Sequence, residues 1–154
     1  RPQLLLLDEP SSGLDPIVRK DILGAIINGV TEEGRTVVFS SHLLEEVERV
    51  CDYLVMLHQG KLILSGALED ITSNHHIFTV KYSGPLTSPI NLSACHKITN
   101  LGPEIKIECY GDFETLTSKL TAQDVEIIQH RCMSLDQIFV ARSVDPQFEH
   151  GKGV

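Results

Sequence analysis

The sequence predicts an α/β layer in its first part and a small α+β domain in its second. Up to residue 71, short apolar runs alternate with segments of helical periodicity. This alternation is typical of a parallel sheet with crossover helices. After Ile71 the composition shifts, and the order of predicted elements becomes β-β-α-β-α. A chain of 154 residues is long enough for one ordinary domain, or for a small domain with part of another.

The first strand and the first helix are predicted from residues 4–34. The run "LLLL" at residues 4–7 is continuous and apolar, as expected for a strand covered on both faces. Asp15 followed by Pro16 predicts a helix start, because aspartate can cap the first turn and proline costs nothing at the first helical position. Apolar residues then recur at helical spacing, and Gly34 predicts the end of this helix.

A second strand, a short helix and a hairpin follow. The β-branched, apolar run "TVVFSS" at residues 36–41 predicts a second buried strand. Residues 44–51 have one apolar helical face and one charged face. The charged face consists of Glu45, Glu46, Glu48 and Arg49. The runs "YLVML" and "KLILSG", joined by His58, Gln59 and Gly60, predict a hairpin in which Gly60 supplies the unusual backbone angle.

The second domain is predicted over residues 78–142, after a linker at residues 73–77. Strands are expected at "IFTVKY", "IKIECY" and "VEIIQ". A loop rich in Pro, Ser, Thr and Gly, residues 83–103, separates the first two. These strands and two helices form a small α+β sandwich near the lower size limit for independent folding.

Two helices complete this domain. The first buries Phe113, Leu116 and Leu120 on one face. The last begins at Ser134, where Ser134 and Gln137 fit a capping box and Met133 and Ile138 fit a hydrophobic staple. The polar tail, residues 143–154, is predicted to be disordered.

Composition limits the function classes. The net charge is −8, from 21 acidic and 13 basic residues, and no basic run is present, which argues against non-specific binding of nucleic acid. The cysteines are scattered and form no C-x-x-C pair, so a reduced, cytosolic protein without a disulfide or zinc framework is expected. The histidines, including the adjacent His75 and His76, lack a second ligand at helical or hairpin spacing. They are expected to be loop or surface residues rather than metal ligands.

The sequence contains no recognisable membrane or targeting segment. No apolar stretch approaches the roughly 20 residues that a membrane helix needs, and the first residues do not form a signal peptide. The first methionine is Met56. We therefore expect the sequence to be the C-terminal part of a longer protein.

Acidic and histidine side chains follow the two predicted parallel strands. Asp8 and Glu9 come directly after residues 4–7, and His42 comes at the end of the second strand. Ligands bind at the carboxyl ends of strands in open α/β sheets, and a crossover helix makes these two strand ends neighbours. Carboxylates suit Mg²⁺ and an attacking water, and a histidine suits a phosphate oxygen. For Asp8 and Glu9 considered alone, a cap on the next turn is the alternative.

Three motifs in order give a resemblance to a known family. "LLLLDEP", "SSGLDP" and "TVVFSSHLLEEVERVCDYLVMLHQGKLILSG" resemble the second half of the nucleotide-binding domain of ABC transporters, a P-loop NTPase fold, over residues 1–72. The likeness is strongest to ATPase subunits of bacterial-type exporters. The rest resembles, more loosely, the accessory C-terminal domain of some of these ATPases, and "MSLDQIF" is similar to the way that domain ends.

The resemblance implies a role for each matching residue. Asp8 matches the Walker B aspartate, which holds Mg²⁺ through water, and Glu9 matches the carboxylate that orients the attacking water. His42 matches the switch histidine that contacts the γ-phosphate. The D-loop, which crosses the dimer interface toward the partner's phosphate site, is matched by Ser12, Gly13, Leu14 and Asp15. The role of Asp15 there is compatible with a helix cap.

The resemblance also implies cofactors, partners and a location. ATP and Mg²⁺ are the cofactors. A second nucleotide-binding subunit and a separate transmembrane permease are the partners, and nucleic acid is not one. The permease would hold the protein at the cytoplasmic face of the cell membrane.

Part of the family pattern is missing from these residues. The phosphate-binding loop GxxxxGK[ST], the glutamine loop and the LSGGQ-type signature are absent. The chain alone is therefore expected neither to bind ATP usefully nor to hydrolyse it. Two hypotheses remain open: part of a transporter ATPase, or a non-catalytic truncated module that acts by dimerisation or partner binding. A third, an unrelated Mg²⁺-dependent phosphatase, leaves the "SGLD" turn and the position of His42 unexplained.

Overall fold

The structure is a computed structural model that describes residues 3–31, 34–82, 90–92 and 94–144. Its contacts divide the chain into two compact units, Arg1–Cys51 and Asp52–Val154. This division follows packing alone. The domain boundaries predicted from the sequence stay predictions.

The first unit contains two strands and two helices in alternation. In chain order they are β1 (Leu4–Leu7), α1 (Pro16–Thr31), β2 (Thr36–Phe39) and α2 (Leu44–Val50). The two strands pair in parallel, with Leu4 opposite Thr36 and Leu7 opposite Phe39. Helix α1 is the crossover between them, as the α/β prediction requires.

Helix α1 begins as its sequence predicts. The Asp15 carboxylate oxygen Oδ1 accepts hydrogen bonds from the backbone N–H groups of Ile17 and Val18, at 3.0 and 3.1 Å. It thereby satisfies two of the donors that every helix leaves unpaired at its start. After the helix, Gly34 has a φ of 60°, a backbone conformation that glycine adopts without strain.

The expectation that β1 is covered on both faces is wrong for this chain. Leu4 is 50% exposed, Leu6 68% and Val38 on the neighbouring strand 54%. Within the described residues, β1 pairs with β2 alone. The apolar run fits a strand covered on both faces, but the two-stranded sheet described here leaves much of β1 exposed.

The second unit opens with the predicted hairpin. Strand β3 (Tyr53–His58) pairs with β4 (Lys61–Ala67) in antiparallel register. The two connecting residues, Gln59 and Gly60, have φ angles of 49° and 76°. Positive φ at both positions is typical of the type I′ turn, whose twist matches that of the strands it joins.

A four-stranded antiparallel sheet and three helices form the rest of this unit. The elements are α3 (Leu68–Ser73), β5 (His75–Tyr82), β6 (Cys95–Leu101), β7 (Glu104–Tyr110), α4 (Phe113–Thr121), β8 (Val125–Cys132) and α5 (Leu135–Val144). The strand order is β6-β7-β5-β8. One core cluster joins strands β5 and β7 to helix α4, with Phe78, Ile107 and Leu120 fully buried. The predicted α+β architecture is therefore present.

Two elements of this unit were not predicted. Strand β6 lies inside the segment expected to be a loop, and α3 precedes the expected linker. Strand β6 lies at the edge of the sheet and is polar and largely exposed, so its sequence carries little apolar pattern. Its partner β7 and the turn at Gly102, where φ is 78°, hold it in place. Residues 83–89 and 93 of the expected loop lie outside the described residues.

The expectation that His75 and His76 are loop or surface residues is wrong. Both lie in β5, where they are 0% and 2% exposed. Their imidazoles have buried partners: His75 contacts the Ile71 carbonyl at 2.6 Å, and His76 contacts the Gly111 carbonyl at 3.0 Å. Ile71 lies four residues earlier on α3, whereas Gly111 lies in the turn after β7. The burial depends on how these elements pack, which a pattern read along the chain does not reveal.

The two later helices begin as predicted or with an equivalent cap. Ser134 and Gln137 form the capping box: the Gln137 side chain accepts from the Ser134 N–H at 3.2 Å, and the Gln137 N–H donates to Ser134 Oγ at 3.4 Å. Met133 and Ile138, the expected staple, are both buried. Asp112 caps α4 through the Thr115 N–H, at 2.9 Å. Of the tail predicted to be disordered, residues 143–144 end α5, and residues 145–154 lie outside the described residues.

Candidate functional site

The ends of β1 and β2 meet at one edge of the parallel sheet. The ladder continues one step past Phe39, because the Ser40 N–H donates to the Leu7 carbonyl at 2.9 Å. The next residues along the two strands are therefore neighbours. This edge carries Asp8 and Glu9 after β1, and Ser40 and His42 after β2.

Ser40 links the two carboxylate residues. The Ser40 hydroxyl donates a short hydrogen bond to Asp8 Oδ1, and Ser40 Oγ accepts a hydrogen bond from the Glu9 N–H at 2.9 Å. Sequence reasoning missed Ser40. The parallel register was the signal that could have found it, since Ser40 stands one position beyond the residue paired with Leu7.

Glu9 and His42 form a close pair. Glu9 Oε2 lies 2.8 Å from His42 Nδ1, with the Glu9 side chain 34% exposed and the His42 side chain 65% exposed. This proximity agrees with the expectation drawn from the parallel strands. A carboxylate bonded to one ring nitrogen fixes the orientation of the imidazole and leaves the other nitrogen to face solvent or a ligand.

The backbone at Glu9 is unusual. Its φ is 45°, in the left-handed region that bulky residues seldom adopt. The carbonyl of Glu9 accepts the Ser12 N–H at 3.0 Å, so a tight turn follows the strand directly. Strain of this kind costs of the order of 1–3 kcal/mol and is frequent at functional sites. Here the turn places the Glu9 carboxylate beside His42.

The segment after this turn is exposed at its tip. Ser12 and Gly13 are both exposed, and Gly13 has a φ of 75°. Leu14 is half-buried and bonds back to the Ser11 carbonyl at 3.3 Å. Asp15 then caps α1, so its carboxylate is committed to the helix start.

A buried polar network anchors the base of this segment. Ser11 is 1% exposed, and its hydroxyl donates to Glu46 Oε2 at 2.6 Å. Arg19 donates from its guanidinium to the Leu14 carbonyl at 3.0 Å. Arg19 Nε also lies 3.1 Å from Glu46 Oε1, an ion pair whose angle is not that of a hydrogen bond. The network therefore joins both ends of the exposed turn to the two helices.

The placement of Glu46 differs from the expectation. The helical pattern put Glu46 on the charged, solvent-facing side of α2, but it is only 7% exposed. Its partners Ser11 and Arg19 lie 27 or more residues earlier in the sequence, so the local helical periodicity of α2 could not predict these contacts. A buried carboxylate is tolerated because both of its oxygens meet a polar or charged partner.

The donor set at the strand ends fits a magnesium ion. Carboxylate oxygens are the hard ligands that Mg²⁺ takes in proteins, commonly through retained waters. Ser40 engages Asp8 Oδ1, and Asp8 is otherwise exposed, so Oδ2 is the oxygen that can meet a metal-bound water.

Among the helices that the structure describes, none is both long enough and apolar enough to span a membrane.

Comparison with known proteins finds relatives among the ATP-binding proteins of ABC transporters. No family model matches the chain. It is 30% identical over 144 residues to an uncharacterised ABC transporter ATP-binding protein of Synechocystis, a match covering 90% of this chain and 39% of that protein. It is also 30% identical over 143 residues to the Nod factor export ATP-binding protein I of Burkholderia lata, covering 90% of this chain and 46% of the relative. The chain spans less than half of the length of both relatives.

A solved structure is similar to part of the chain. It is cbiO1 of Clostridium perfringens, described as part of the ABC transporter complex cbiONQ. The sequence identity is 31%, the TM-score is 0.42, and the match covers 46% of this chain and 28% of that one. By its sequence relatives, the chain is a homologue of the ATP-binding proteins of ABC transporters, with the likeness covering 90% of its length.

Proposed function

We propose that the chain is the C-terminal portion of the ATP-hydrolysing subunit of an ABC transporter of the exporter type. In the whole protein it would couple ATP binding and hydrolysis to transport by a separate membrane permease. The observation that carries the proposal is the group of Asp8, Glu9, Ser40 and His42 at the ends of two adjacent parallel strands. A relative named for Nod factor export supports the exporter type.

Each residue of the group has a task in phosphoryl transfer. Asp8 would hold a water bound to Mg²⁺, and the ion when bound neutralises charge on the phosphates. Glu9 would orient the attacking water through a carboxylate oxygen. His42, whose Nδ1 lies 2.8 Å from Glu9 Oε2, would contact an oxygen of the γ-phosphate through its other ring nitrogen. Positioning and charge neutralisation account for most of the catalysis of such reactions, so these are the parts required.

Ser40 adds a positioning task. Its hydroxyl bonds both the Asp8 carboxylate and the Glu9 backbone, so it fixes the metal-facing residue relative to the water-facing one. The exposed segment with Ser12 and Gly13 would meet a second nucleotide-binding subunit, as the resemblance implies. The permease would then keep the protein at the cytoplasmic face of the membrane.

These 154 residues contain no GxxxxGK[ST] sequence, which in this class of enzyme grips the phosphates. We therefore infer that the chain alone does not hydrolyse ATP. The missing motif also motivates the second candidate, a non-catalytic module that acts by dimerisation or partner binding. The coding sequence before Arg1 separates the two. An in-frame GxxxxGK[ST] followed by an LSGGQ-like signature supports the transporter ATPase, whereas a stop codon and a local start site overturn it.

A mutation in the complete protein tests the site. His42→Ala should slow ATP turnover by about 10²–10³-fold, the usual cost of removing one preorganised donor from a transition state. His58→Ala, in the hairpin of the second unit, is the matched control and should leave turnover near that of the unmutated protein. Equal turnover in both variants would refute the role of His42.

A further inference from the structure

Three potential metal ligands meet on one face of the second unit's sheet. His76 on β5 stands directly opposite Cys132 on β8, and Phe78 stands opposite His130. Because side chains alternate along a strand, His130 and Cys132 point to the same side, as do His76 and Phe78. The pairing therefore brings two imidazoles and a thiol together at the end of the β5–β8 ladder.

The distances suit coordination of a single ion. His76 Nδ1 lies 3.0 Å from His130 Nε2. One ring nitrogen of each histidine and the Cys132 sulfur all lie within 4.8 Å of one another. In a tetrahedral zinc site with Zn–N near 2.0 Å and Zn–S near 2.3 Å, neighbouring ligand atoms are about 3.3–3.6 Å apart. Small side-chain rotations close that difference, because His130 and Cys132 are exposed and only His76 is buried.

The buried histidine is already oriented as a ligand. His76 Nε2 lies 3.0 Å from the Gly111 carbonyl, which can only accept, so the ring carries its proton on that nitrogen. Nδ1 then presents a lone pair toward His130. A backbone carbonyl bonded to the far nitrogen is the arrangement that fixes the tautomer and orientation of metal-binding histidines.

The surroundings favour the neutral imidazoles that a metal needs. Burial lowers the pKa of His76 and of His130 below the usual value. The Phe113 ring lies 4.6 Å from the His130 ring, centroid to centroid, and covers one side of the pair. The nearby carboxylate of Asp112 acts in the opposite sense, because its negative charge raises the pKa of His76.

We propose that His76, His130 and Cys132 bind a zinc ion through Nδ1, Nε2 and Sγ. On binding, the Cys132 thiol releases its proton to solvent, and His130 moves its own proton from Nε2 to Nδ1. Two nitrogens and one thiolate are a donor set that zinc accepts, with solvent in a fourth position. The ion would link β8 to β5 at the end of the sheet, independently of the nucleotide site.

Cobalt and zinc titrations of the complete 154-residue chain test the proposal. With Co²⁺, the unmutated chain should show a thiolate-to-cobalt charge-transfer band and the visible bands of tetrahedral coordination, saturating at one ion per chain. Zn²⁺ should displace the cobalt. Absence of these bands, or a charge-transfer band that saturates only with several ions per chain, would overturn the proposal without any mutant.

Matched variants identify the ligands. Cys132→Ser should abolish the charge-transfer band, and both Cys132→Ser and His130→Gln should weaken zinc affinity by more than the 10–100-fold that loss of an outer partner costs. Both residues are exposed, so the sheet should keep its circular dichroism spectrum. Cys51→Ser, which changes a thiol in the other unit, should leave band and affinity unchanged. A band that survives Cys132→Ser, or is lost in Cys51→Ser, would contradict the assignment.

Discussion

Replacing Glu46 tests the buried network beneath the exposed turn at residues 12–14. Glu46→Ala removes the acceptor of the Ser11 hydroxyl, at 2.6 Å, and the ionic partner of Arg19, at 3.1 Å. The Ser11 side chain is buried and would lose this hydrogen bond. Arg19 keeps its bond to the Leu14 carbonyl but loses its ion pair with the Glu46 carboxylate.

The size of the destabilisation expected for Glu46→Ala follows from the two contacts that are lost and from the exposure of Arg19. A hydrogen bond to a charged group contributes about 1.5–3 kcal/mol, and removing one partner from a fully buried ion pair costs about 3–5 kcal/mol. The Arg19 side chain is 27% exposed, so water replaces part of what the pair supplied. We therefore expect Glu46→Ala to lower the free energy of unfolding of the first unit by about 2–3 kcal/mol.

Urea unfolding followed by circular dichroism measures this loss, and amide hydrogen exchange over residues 3–51 assigns it to the first unit. Glu45→Ala is the matched control, because Glu45 is exposed, carries the same charge and lies in the same first turn of α2. Both variants lose the same interaction with the helix dipole, so their difference reports the buried contacts. If Glu46→Ala destabilises the unit no more than Glu45→Ala does, the network has no stabilising role.

Two further predictions concern the pH dependence of stability and the exposed strand. Burial lowers the pKa of His75 from 6.5 to about 4, so between these pH values the unfolded state binds a proton that the folded state does not. The contribution of the neutral His75 to the free energy of unfolding is therefore complete above pH 6.5. It should fall by roughly 3 kcal/mol as the pH drops to 4. His75→Gln should flatten this part of the curve of unfolding free energy against pH, and an unchanged slope would contradict the assignment. Leu6→Lys should reduce light scattering by the purified chain, because Leu6 is 68% exposed on an unpaired apolar face. Val144→Lys, at a residue 77% exposed on α5, is the control, and equal scattering by both variants would show that β1 does not drive association.

The candidate site was predictable because its geometry follows from strand order. Two parallel strands joined by one crossover helix place their carboxyl ends together, so Asp8, Glu9 and His42 could be grouped from the sequence. The hydroxyl that completes the group, from Ser40, depends on register, and register is set by pairing rather than by composition. Glu46 was misplaced for a related reason: its burial comes from partners on other elements.

The second unit shows the same limit. Its core strands β5, β7 and β8 carry enough apolar residues to be recognised, but the edge strand β6 does not. His76 lies next to the strand predicted from "IFTVKY", and the i, i+2 spacing of His130 and Cys132 was visible in the sequence. Only the antiparallel pairing of β5 with β8 brings the three together. A metal site whose ligands lie on different strands cannot be predicted from the sequence until the strand pairing is known.

The rate of ATP hydrolysis by the complete protein carrying Glu9→Gln tests the central claim most directly. The amide keeps the size of the side chain but cannot polarise the attacking water as a carboxylate does, so ATP binding should persist while hydrolysis slows by about 10²–10³-fold or more. Glu45→Gln, an exposed acidic residue away from the strand ends, should hydrolyse at the unmutated rate. Hydrolysis by Glu9→Gln at the unmutated rate would contradict the assignment of this strand-end group as the hydrolytic site.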